Sequence, residues 1–457
     1  MRKLAVLFLT TLLVAGCGSS SDDAVTAPPT ACSNDGQKQF VLDALYDWYL
    51  WNDQLPADLN IADYATPEEL VFEVTTTYGP QDAMGDPVDR FSYVGSLVED
   101  QQFFGEGQYE GFGFRWSIEN DEVMRVIDVF ASSPAGVAGF ERGHAVFELN
   151  GRTVANIVAT EGIEGLGTFF DNNDTVDFSI RRLDNSTFNA LATKGIVTII
   201  PIPQRRTIDI GPGVPPVGYM EFRTFVSTAH DGLGGDDFDD VFAEFIAAGV
   251  NDVIIDMRYN GGGLVATAEL LGDYLGGFAN GGLVFSNTEF NADRAAQYNS
   301  TDFFSRRGNS LDTVRLIVIA SESTASASEL VTNSLIPYAD VWIVGDNTFG
   351  KPVGQVGIDF CTDRILRPTA FRTTNANGDG DYFDGLPVDC PVEDDFTIPI
   401  GADNDPNLVA AVSIAATGAC PAPVVVGPQG RQAAEIKPQI RYPEQRGSAA
   451  RQYAGAW

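Results

Sequence analysis

Residues 315–355 read RLIVIASESTASASELVTNSLIPYADVWIVGDNTFGKPVGQ, and this stretch determines the architecture of the chain. It contains two short apolar runs, 316–320 and 341–344, each bounded by turn residues. Uninterrupted, β-branched runs of this length are typical of strands buried in a parallel sheet. Between the runs, a serine-rich loop leads into a helix that begins near Ser326, and a Gly-bounded loop follows at Lys351. The order of strand, helix and strand predicts an α/β core.

The chain on either side of this stretch extends the same pattern. Residues 252–257 form an apolar run that predicts a buried strand, and this run continues into RYNGGG at 258–263. We expect this loop to lie beside the serine-rich loop, because the carboxyl ends of parallel strands meet at one edge of a sheet. Residues 277–312 predict a polar excursion at the surface, and the chain after residue 355 predicts mostly loops.

Composition excludes some classes of function. The formal net charge of −35 argues against binding to nucleic acid, because the phosphates would repel the chain. No cysteine belongs to a C-x-x-C pair, so zinc is not expected, and nothing in the sequence requires a cofactor. Residues 375–381 are rich in Asn and Asp, but Leu386 stands where a calcium-binding EF-hand loop needs glutamate. A looser calcium site at 375–381 stays open.

The first 17 residues predict export. Two basic residues precede an apolar run at 4–15, which is too short to span a membrane and leads through small residues to Cys17. This order resembles a bacterial lipoprotein signal, and an ordinary signal peptide with an incidental cysteine is the alternative. The resemblance implies a lipid anchor at Cys17 in the cell envelope. Gly18 is compatible with the outer membrane, so the folded part would face the periplasm or the exterior.

An oxidising compartment favours disulfides. Four cysteines remain after Cys17, and four allow three pairings. Cys361 and Cys390 bracket a polar loop and are the first choice for a pair. Cys32 and Cys420 would then join the start of the folded part to its end.

The exported chain divides by composition and pattern. Residues 37–52 have apolar residues at helical spacing, and residues 67–76 predict a second helix with Thr66 as its cap. Strand-like runs alternate with turns between 106 and 195. The predicted segments are a tether at 18–33, a helical domain at 34–102, a β-rich domain at 103–197, the α/β core at 198–425 and a poorly ordered tail at 426–457.

The serine cluster and the lysine suggest a catalytic pair. The sequence lacks the G-x-S-x-G, H-E-x-x-H and S-x-x-K motifs of other hydrolases. Its two histidines are poor candidates for a triad, since His144 lies in the β-rich domain and His230 in a Gly/Asp-rich turn. A lysine can act as a base only when it is neutral, which burial away from carboxylates favours. Lys351 has apolar neighbours in the sequence and fits that requirement.

The other parts of such a site can be assigned by residue type. The amide of Gln355 could orient the lysine amine without restoring its charge. Serine hydrolysis also needs two N–H donors for the negatively charged oxygen of the tetrahedral intermediate. We predict Ala327 as one donor and a glycine of the 261–263 run, with Gly261 and Gly262 as the first choices, as the other.

Three motifs carry a family resemblance: DMRYNGGG at 256–263, TASASEL at 324–330 and TFGKPVGQ at 348–355. In this order they resemble those of the carboxyl-terminal processing (tail-specific) proteases. The resemblance extends from about residue 35 to about residue 420. It implies a crotonase-like α/β core, with Ser326 as nucleophile, Lys351 as general base and Gln355 as its partner. It also implies a PDZ domain before the core.

The β-rich domain supports this last expectation. Residues 132–139 (SSPAGVAG) and 143–151 resemble the short helix and the following strand of a PDZ domain, although His144 stands where these domains commonly have Asp. The predicted loop for a peptide's terminal carboxylate is GFGF, formed by Gly111, Phe112, Gly113 and Phe114. Successive free N–H groups in such a loop bind an anion, and the adjoining strand edge accepts the peptide.

Three hypotheses follow. The first is a lipid-anchored serine endopeptidase that acts on polypeptides with free C-termini. The second is a catalytically silent, membrane-anchored PDZ scaffold, which would not need the intact set of Ser326, Lys351 and Gln355. The third is a regulated enzyme that rests with its PDZ domain over the site and Lys351 displaced.

Overall fold

The computed structural model describes residues 32–229 and 237–421, together with the backbone of a short strand at 440–441. The signal segment with Cys17, the tether before residue 32, His230 and the rest of the tail lie outside the described residues. The predictions for those segments therefore stay predictions.

Helices and strands are numbered in chain order over the described residues. The α-helices are α1 (Asn34–Trp48), α2 (Pro67–Tyr78), α3 (Leu97–Glu106), α4 (Pro134–Val137), α5 (Val154–Glu161), α6 (Glu164–Asp171), α7 (Phe238–Ala248), α8 (Val265–Asn280), α9 (Ala292–Tyr298), α10 (Ala327–Leu335) and α11 (Pro406–Thr417). The strands are β1 (Tyr93–Ser96), β2 (Gln108–Gly111), β3 (Phe114–Glu119), β4 (Val123–Val129), β5 (Ala145–Leu149), β6 (Arg152–Thr153), β7 (Thr175–Arg181), β8 (Thr187–Thr193), β9 (Gly195–Thr198), β10 (Gln204–Ile208), β11 (Val217–Glu221), β12 (Asp252–Asp256), β13 (Val284–Phe290), β14 (Ser300–Phe303), β15 (Arg315–Ala320), β16 (Asp340–Gly345), β17 (Val353–Gln355), β18 (Ile358–Phe360), β19 (Arg364–Arg367), β20 (Thr369–Thr374), β21 (Cys390–Pro391) and β22 (Ile440–Arg441).

The α/β core is built on a six-stranded sheet in the order β10-β11-β12-β15-β16-β21. All neighbours are parallel except the pair of β10 and β11. Side chains alternate between the two faces, so Val253 and Ile255 pack with α7, α8 and α10 while Ile254 packs with α11. Because helices cover both faces, the central strands β12 and β15 are largely apolar, and the predicted strands and helices of the core are confirmed.

The polar excursion predicted for 277–312 contains regular structure. The strands β13 and β14, with α9 between them, join a second sheet in the order β14-β13-β20-β17. The prediction of mostly loops after residue 355 is also wrong, because β18, β19 and β20 lie there. Strand β13 is only partly buried and pairs with a distant segment, since Asn287 lies opposite Thr374 of β20. A half-buried polar strand gives a weak sequence signal.

The N-terminal domain contains the two predicted helices, α1 and α2, and Thr66 caps α2 by accepting the N–H of Glu69. This domain shares a sheet with the core chain, since β1 pairs with β19 in the order β1-β19-β18. Residues from both parts, including Leu45 and Leu366, form one apolar cluster. The helical domain is therefore packed directly onto the chain that follows Lys351.

The β-rich domain contains the predicted strands in an antiparallel sheet ordered β22-β3-β4-β5-β7-β8, with β6 paired to β5. Aromatic side chains fill its interior, among them Phe112, Phe114 and Phe178. Strand β22 comes from the predicted tail and pairs with the outer edge of β3. The rest of the tail lies outside the described residues, so its predicted poor order stays a prediction.

The disulfides differ from the predicted pairs. The structure joins Cys32 to Cys361 and Cys390 to Cys420, with Cα–Cα distances of 5.5 and 5.6 Å. The predicted pairs Cys361–Cys390 and Cys32–Cys420 are wrong because Cys361 follows β18, which packs against the N-terminal domain, whereas Cys390 lies in β21 at the edge of the core sheet. Cys361 and Cys390 are near each other in the sequence, but they lie in different parts of the fold.

The described residues were also compared with the requirements for a membrane-spanning helix and for a metal site. Within the described ranges, no helix combines the length and apolar character needed to cross a membrane. Over the same ranges, no group of three or more His, Cys, Asp or Glu side chains could hold a metal ion. In the turn at 375–381, Asn375 Oδ1 accepts the N–H groups of Asn377 (2.9 Å) and Asp379 (3.0 Å), so its side chain closes the turn.

Candidate active site

Ser326 lies at the carboxyl end of β15, where it is the N-cap of α10. Its backbone has φ 56° and ψ −115°, a combination that side-chain-bearing residues rarely adopt. The Ser326 N–H donates to Glu329 Oε2 at 2.8 Å, which holds this conformation. Such strain persists only where the surroundings fix it, and it is concentrated at functional sites.

The other serines of the cluster have different surroundings. Ser321, Ser323 and Ser328 are only 7%, 1% and 0% exposed. The Ser328 hydroxyl donates to the Asn260 carbonyl at 3.0 Å, whereas Ser326 is half-buried and lines a cleft together with Lys351. The fold therefore distinguishes Ser326 from its neighbours on accessibility, which spacing along the sequence could not do.

The glycine loop packs against the backbone of the serine loop. At Gly262, with φ +101°, a Cβ would lie 2.7 Å from the Ala325 carbonyl oxygen and 2.8 Å from Ser326 Cβ. The Gly262 N–H already donates to Asn260 Oδ1 at 2.9 Å, so the predicted donor role of Gly262 does not hold in this structure. Gly261 is buried and does not line the cleft, whereas Gly263 does.

At the other predicted donor, the first position of α10 leaves the Ala327 N–H without an intrahelical acceptor. Ala327 N would lie 2.8 Å from a Cβ at Gly262, so the helix start and the glycine loop are in contact. The structure therefore brings Ala327 next to the glycine loop, with Gly263 on the cleft side.

Replacing Gly262 with alanine tests this close approach. For the peptide hydrolysis that the family resemblance implies, we expect Gly262→Ala to lower kcat/KM by about a hundredfold, because the added methyl group must displace the backbone that carries Ser326. Steady-state assays with a quenched peptide measure the effect. Gly378→Ala is the matched control, since Gly378 has a similar φ of +87° but open space at its Cβ. Equal activity of Gly262→Ala and the wild type would contradict the proposed contact.

Lys351 is 4% exposed, and this burial lowers the pKa of its amine to about 7. The carboxylates of Asp89 and Glu329 act in the opposite direction, whereas the Arg367 guanidinium lowers the pKa further. Lys351 Nζ donates to Gln355 Oε1 at 2.9 Å and lies 5.0 Å from the centre of the Phe91 ring. A substantial fraction of the amine is therefore neutral at neutral pH, as a general base requires.

The orientation of the Gln355 amide follows from its neighbours. Gln355 Nε2 donates to the carbonyl oxygens of Phe91 at 2.6 Å and Arg367 at 3.2 Å. Two acceptors on the nitrogen side assign the oxygen to the side that faces Lys351. The amide thus accepts from the lysine without adding a negative charge.

Glu329 is a site residue that the sequence reasoning missed. Its fully buried carboxylate accepts four hydrogen bonds, from Ser326 N (2.8 Å), Lys351 N (2.8 Å), Gly350 N (2.7 Å) and Thr348 Oγ1 (2.5 Å). Burial raises the pKa of Glu329 above its ordinary value, and the hydrogen bonds offset only part of this effect. One side chain therefore ties the serine loop to the lysine loop. The signal was the S-x-x-E spacing of a capping box, which predicts a helix start and not a link between loops.

The cleft that holds Ser326 and Lys351 has a volume of about 820 Å³. Its apolar wall comes from the N-terminal domain and the second sheet and includes Trp48, Leu97, Phe104, Phe290, Tyr298 and Phe371. Asp100 and Arg367 form a bidentate ion pair at the same cleft, with distances of 2.9 and 2.6 Å. A larger cleft of about 1130 Å³ between the β-rich domain and the core contains neither Ser326 nor Lys351.

The predicted carboxylate-binding loop lies apart from this cleft. Gly111, Phe112, Gly113 and Phe114 are all buried, and the loop wraps around the start of α4. The Phe112 carbonyl accepts the N–H of Ala135 at 2.8 Å, and the Gly113 carbonyl accepts the hydroxyl of Ser133 at 2.9 Å. The structure therefore does not bring this loop together with Ser326.

A polar contact connects the β-rich domain with the glycine loop. Arg142 Nη1 donates to the Tyr259 hydroxyl at 2.9 Å, and Arg142 Nη2 donates to Asp394 at 2.6 Å. Tyr259 precedes the glycines, is buried and has φ 66°. The position of the β-rich domain is therefore linked to the backbone beside Ser326.

Comparison with known proteins identifies the class. The profile of peptidase family S41 matches residues 216–392, and the profile of the peptidase S41 N-terminal domain matches residues 36–93. The first match contains the core strands from β11 to β21 and the Ser326 and Lys351 loops, and the second contains α2 and most of α1. The chain belongs to peptidase family S41.

Curated relatives agree with this assignment. The chain is 27% identical over 251 residues to the chloroplastic C-terminal processing peptidase of Tetradesmus obliquus, covering 52% of this chain and 50% of that protein. It is 23% identical over 302 residues to the carboxy-terminal-processing protease of Bartonella bacilliformis, covering 65% of this chain and 64% of that protein. The chain thus spans between half and two thirds of the length of these relatives.

Solved structures show the same α/β fold. An S41 protease from Bacteroides fragilis superposes with a TM-score of 0.61 at 22% identity, covering 82% of this chain and 96% of that one. The photosystem II D1 C-terminal processing protease superposes with a TM-score of 0.52 at 19% identity, covering 85% and 99%.

Proposed function

We propose that the chain is a serine endopeptidase of the bacterial cell envelope that cleaves polypeptides near their C-termini. The observation that carries the proposal is the pairing in one cleft of a strained, half-buried Ser326 with a buried Lys351 whose pKa is about 7. A serine needs a neutral base beside it to become a nucleophile, and the amide of Gln355 supports Lys351 in that state.

The proposed reaction proceeds through an acyl-enzyme. Lys351 Nζ takes the proton of Ser326 Oγ as that oxygen attacks the scissile carbonyl carbon. The Ala327 N–H and the Gly263 N–H are the proposed donors to the carbonyl oxygen, which becomes negatively charged. Lys351 then protonates the leaving amine, and water attacks the ester with Lys351 again accepting a proton. No cofactor enters these steps.

The substrate is proposed to bind as an extended strand. In the part of the chain that the structure describes, β17 is an edge strand, and its residues Gly354 and Gln355 line the cleft beside Ser326. An open strand edge accepts a peptide through main-chain hydrogen bonds, so cleavage would depend little on one side chain. The apolar wall of the cleft favours apolar residues next to the cleaved bond.

The proposal also covers the folds of the two larger domains. We assign the core to the crotonase-like fold and the β-rich domain to a PDZ domain that captures the substrate's C-terminal carboxylate. The pairing of β22 with β3 supports this use of the sheet edge, because an added strand already fits there. The buried GFGF loop would have to become accessible before it binds a carboxylate. Cys17 would anchor the protein to the membrane through lipid.

Free and amidated peptides test the C-terminal preference. The full chain, purified in detergent, is incubated with two unstructured peptides that differ only at the C-terminus, and the cuts are mapped by mass. We expect the peptide with the free carboxylate to be cleaved at least about tenfold faster, because one charged group in a desolvated nest is worth roughly 1.5–3 kcal/mol. Equal rates for both would remove the C-terminal preference while leaving the peptidase assignment intact.

A further inference from the structure

Behind the base, outside the cleft, lies the buried carboxyl group of Asp89 in the N-terminal domain, with no exposed surface. Asp89 Oδ1 accepts the N–H groups of Phe91 at 2.9 Å and Ser92 at 3.1 Å, and Oδ2 accepts the Ser92 hydroxyl at 2.6 Å. These bonds close a tight turn over residues 90–92. Because a buried carboxyl group is tolerated only when its oxygens are hydrogen-bonded, the turn and the side chain fix each other.

The core chain anchors this turn from the opposite side. Thr369, the first residue of β20, donates its hydroxyl to Asp89 Oδ1 at 3.0 Å. Its N–H donates to the Ser92 hydroxyl oxygen at 2.9 Å. Tyr49 of α1's C-terminal end also faces this site, and burial followed by the charge of Asp89 raises the pKa of its hydroxyl. Asp89 therefore joins the N-terminal domain to the strand that pairs with β17.

The turn places Phe91 in contact with both Lys351 and its amide partner Gln355. The Phe91 carbonyl accepts from Gln355 Nε2 at 2.6 Å, which is the shorter of the two bonds that orient the amide. The Phe91 ring lies 5.0 Å from Lys351 Nζ, within the range of a cation–π contact. One residue of the N-terminal domain thus contacts the base and its amide partner.

Resting on the peptidase function proposed above, we propose that Asp89 is the positioning residue of the Lys351 base. By closing the turn at 90–92 it holds the Phe91 carbonyl on Gln355 and the Phe91 ring on Lys351. Neither Asp89 nor Phe91 lines the cleft, so the role concerns the chemical step and not substrate binding.

The charges around Lys351 make the role measurable. The groups that act on it are the carboxylates of Asp89 and Glu329, which raise the pKa of its amine, and the Arg367 guanidinium, which lowers it. Arg367 is itself paired with Asp100. Removing the charge of Asp89 alone should therefore lower the pKa of Lys351. The acid limb of the pH profile of kcat should then move to lower pH.

Two substitutions separate charge from geometry. We expect Asp89→Asn to lower kcat about tenfold and Asp89→Ala about a hundredfold, with KM unchanged within about twofold, because small displacements of a catalytic group are costly. In both variants the acid limb moves to lower pH. Thr369→Val removes the anchoring hydroxyl but keeps the charge, so kcat should fall without that movement. Asp82→Asn is the matched control, since Asp82 also accepts backbone N–H groups in a turn of this domain but is exposed.

A direct titration distinguishes failure of this inference from failure of the peptidase assignment. The pH dependence of Lys351 acylation by acetic anhydride, followed by mass spectrometry, reports its pKa in the full chain whether or not any peptide is cleaved. A lower midpoint in Asp89→Asn than in the wild type supports the positioning role. An unmoved midpoint in folded Asp89→Asn protein overturns it, as does a loss of activity that appears only in KM.

Discussion

Ser326→Ala is expected to reduce peptide hydrolysis by at least about 10⁴-fold, since removing the nucleophile of a serine hydrolase leaves only the contribution of binding and the remaining groups. The fold should persist, because the hydrogen bond that holds the loop is made by the Ser326 N–H and not by its hydroxyl. Initial rates with a quenched peptide, compared at equal protein concentration, measure the loss.

The matched control for this substitution is Ser323→Ala. Ser323 lies in the same loop, is 1% exposed, and its hydroxyl has no hydrogen-bond partner among the described residues. Activity within about twofold of the wild type is expected for this variant, because removing an unpaired hydroxyl breaks no hydrogen bond and has little effect on folding free energy. If Ser326→Ala cleaves as fast as the wild type, the assignment of the nucleophile fails. A wild type that binds peptides without cleaving them would favour the scaffold hypothesis.

Lys351→Met is expected to abolish activity and yet stabilise the fold at neutral pH. Burial lowers the pKa of Lys351 from 10.5 to about 7, which corresponds to about 4 kcal/mol of folding free energy at pH 7. Methionine removes that cost but leaves the Gln355 carbonyl without its donor, which costs about 1–3 kcal/mol. The expected net gain is about 2 kcal/mol, measured by urea unfolding.

The sign of the pH dependence follows from the same shift. Between about pH 7 and pH 10.5 the unfolded lysine holds a proton that the folded lysine has released. The stability of the wild type therefore rises with pH across this window, and the advantage of Lys351→Met shrinks toward pH 10. In the wild type, kcat should fall about tenfold per pH unit below pH 7, because the base becomes protonated. A kcat that is flat down to pH 5 would contradict Lys351 as the base.

The sequence predicted most of the core and the central residues of the site because their signals are local. Strands β12, β15 and β16 are uninterrupted apolar runs, and Ser326 and Lys351 lie in short motifs that follow strands. Strand β13 was missed because its residues are only partly buried and one of its partners, β20, is distant along the chain. The local pattern of apolar residues indicates which strands are buried, but it gives only a weak signal for half-buried strands at the edge of a sheet.

The contacts that position the site are the part the sequence could not supply. Glu329 is three residues from Ser326, but the lysine loop that it binds arrives only through the fold of β16 and the loop after it. Asp89 is separated from Thr369 by 280 residues. Gly262 was predicted as a hydrogen-bond donor, whereas its N–H is occupied and its lack of a side chain is what the fold uses. Each of these depends on tertiary contacts that no local pattern encodes.

The bond between Cys32 and Cys361 closes a covalent ring across a sequence separation of 329 residues. A peptidase is exposed to cuts in its own loops, either by neighbouring copies or by other enzymes of its compartment. A single cut anywhere inside this ring would leave both fragments attached, with the N-terminal domain still fastened to the strands behind the base. Such a nicked molecule would migrate as one chain without reducing agent and as two with it. In the proposed lipid-anchored form, the same ring would hold both fragments of a nicked copy at the membrane.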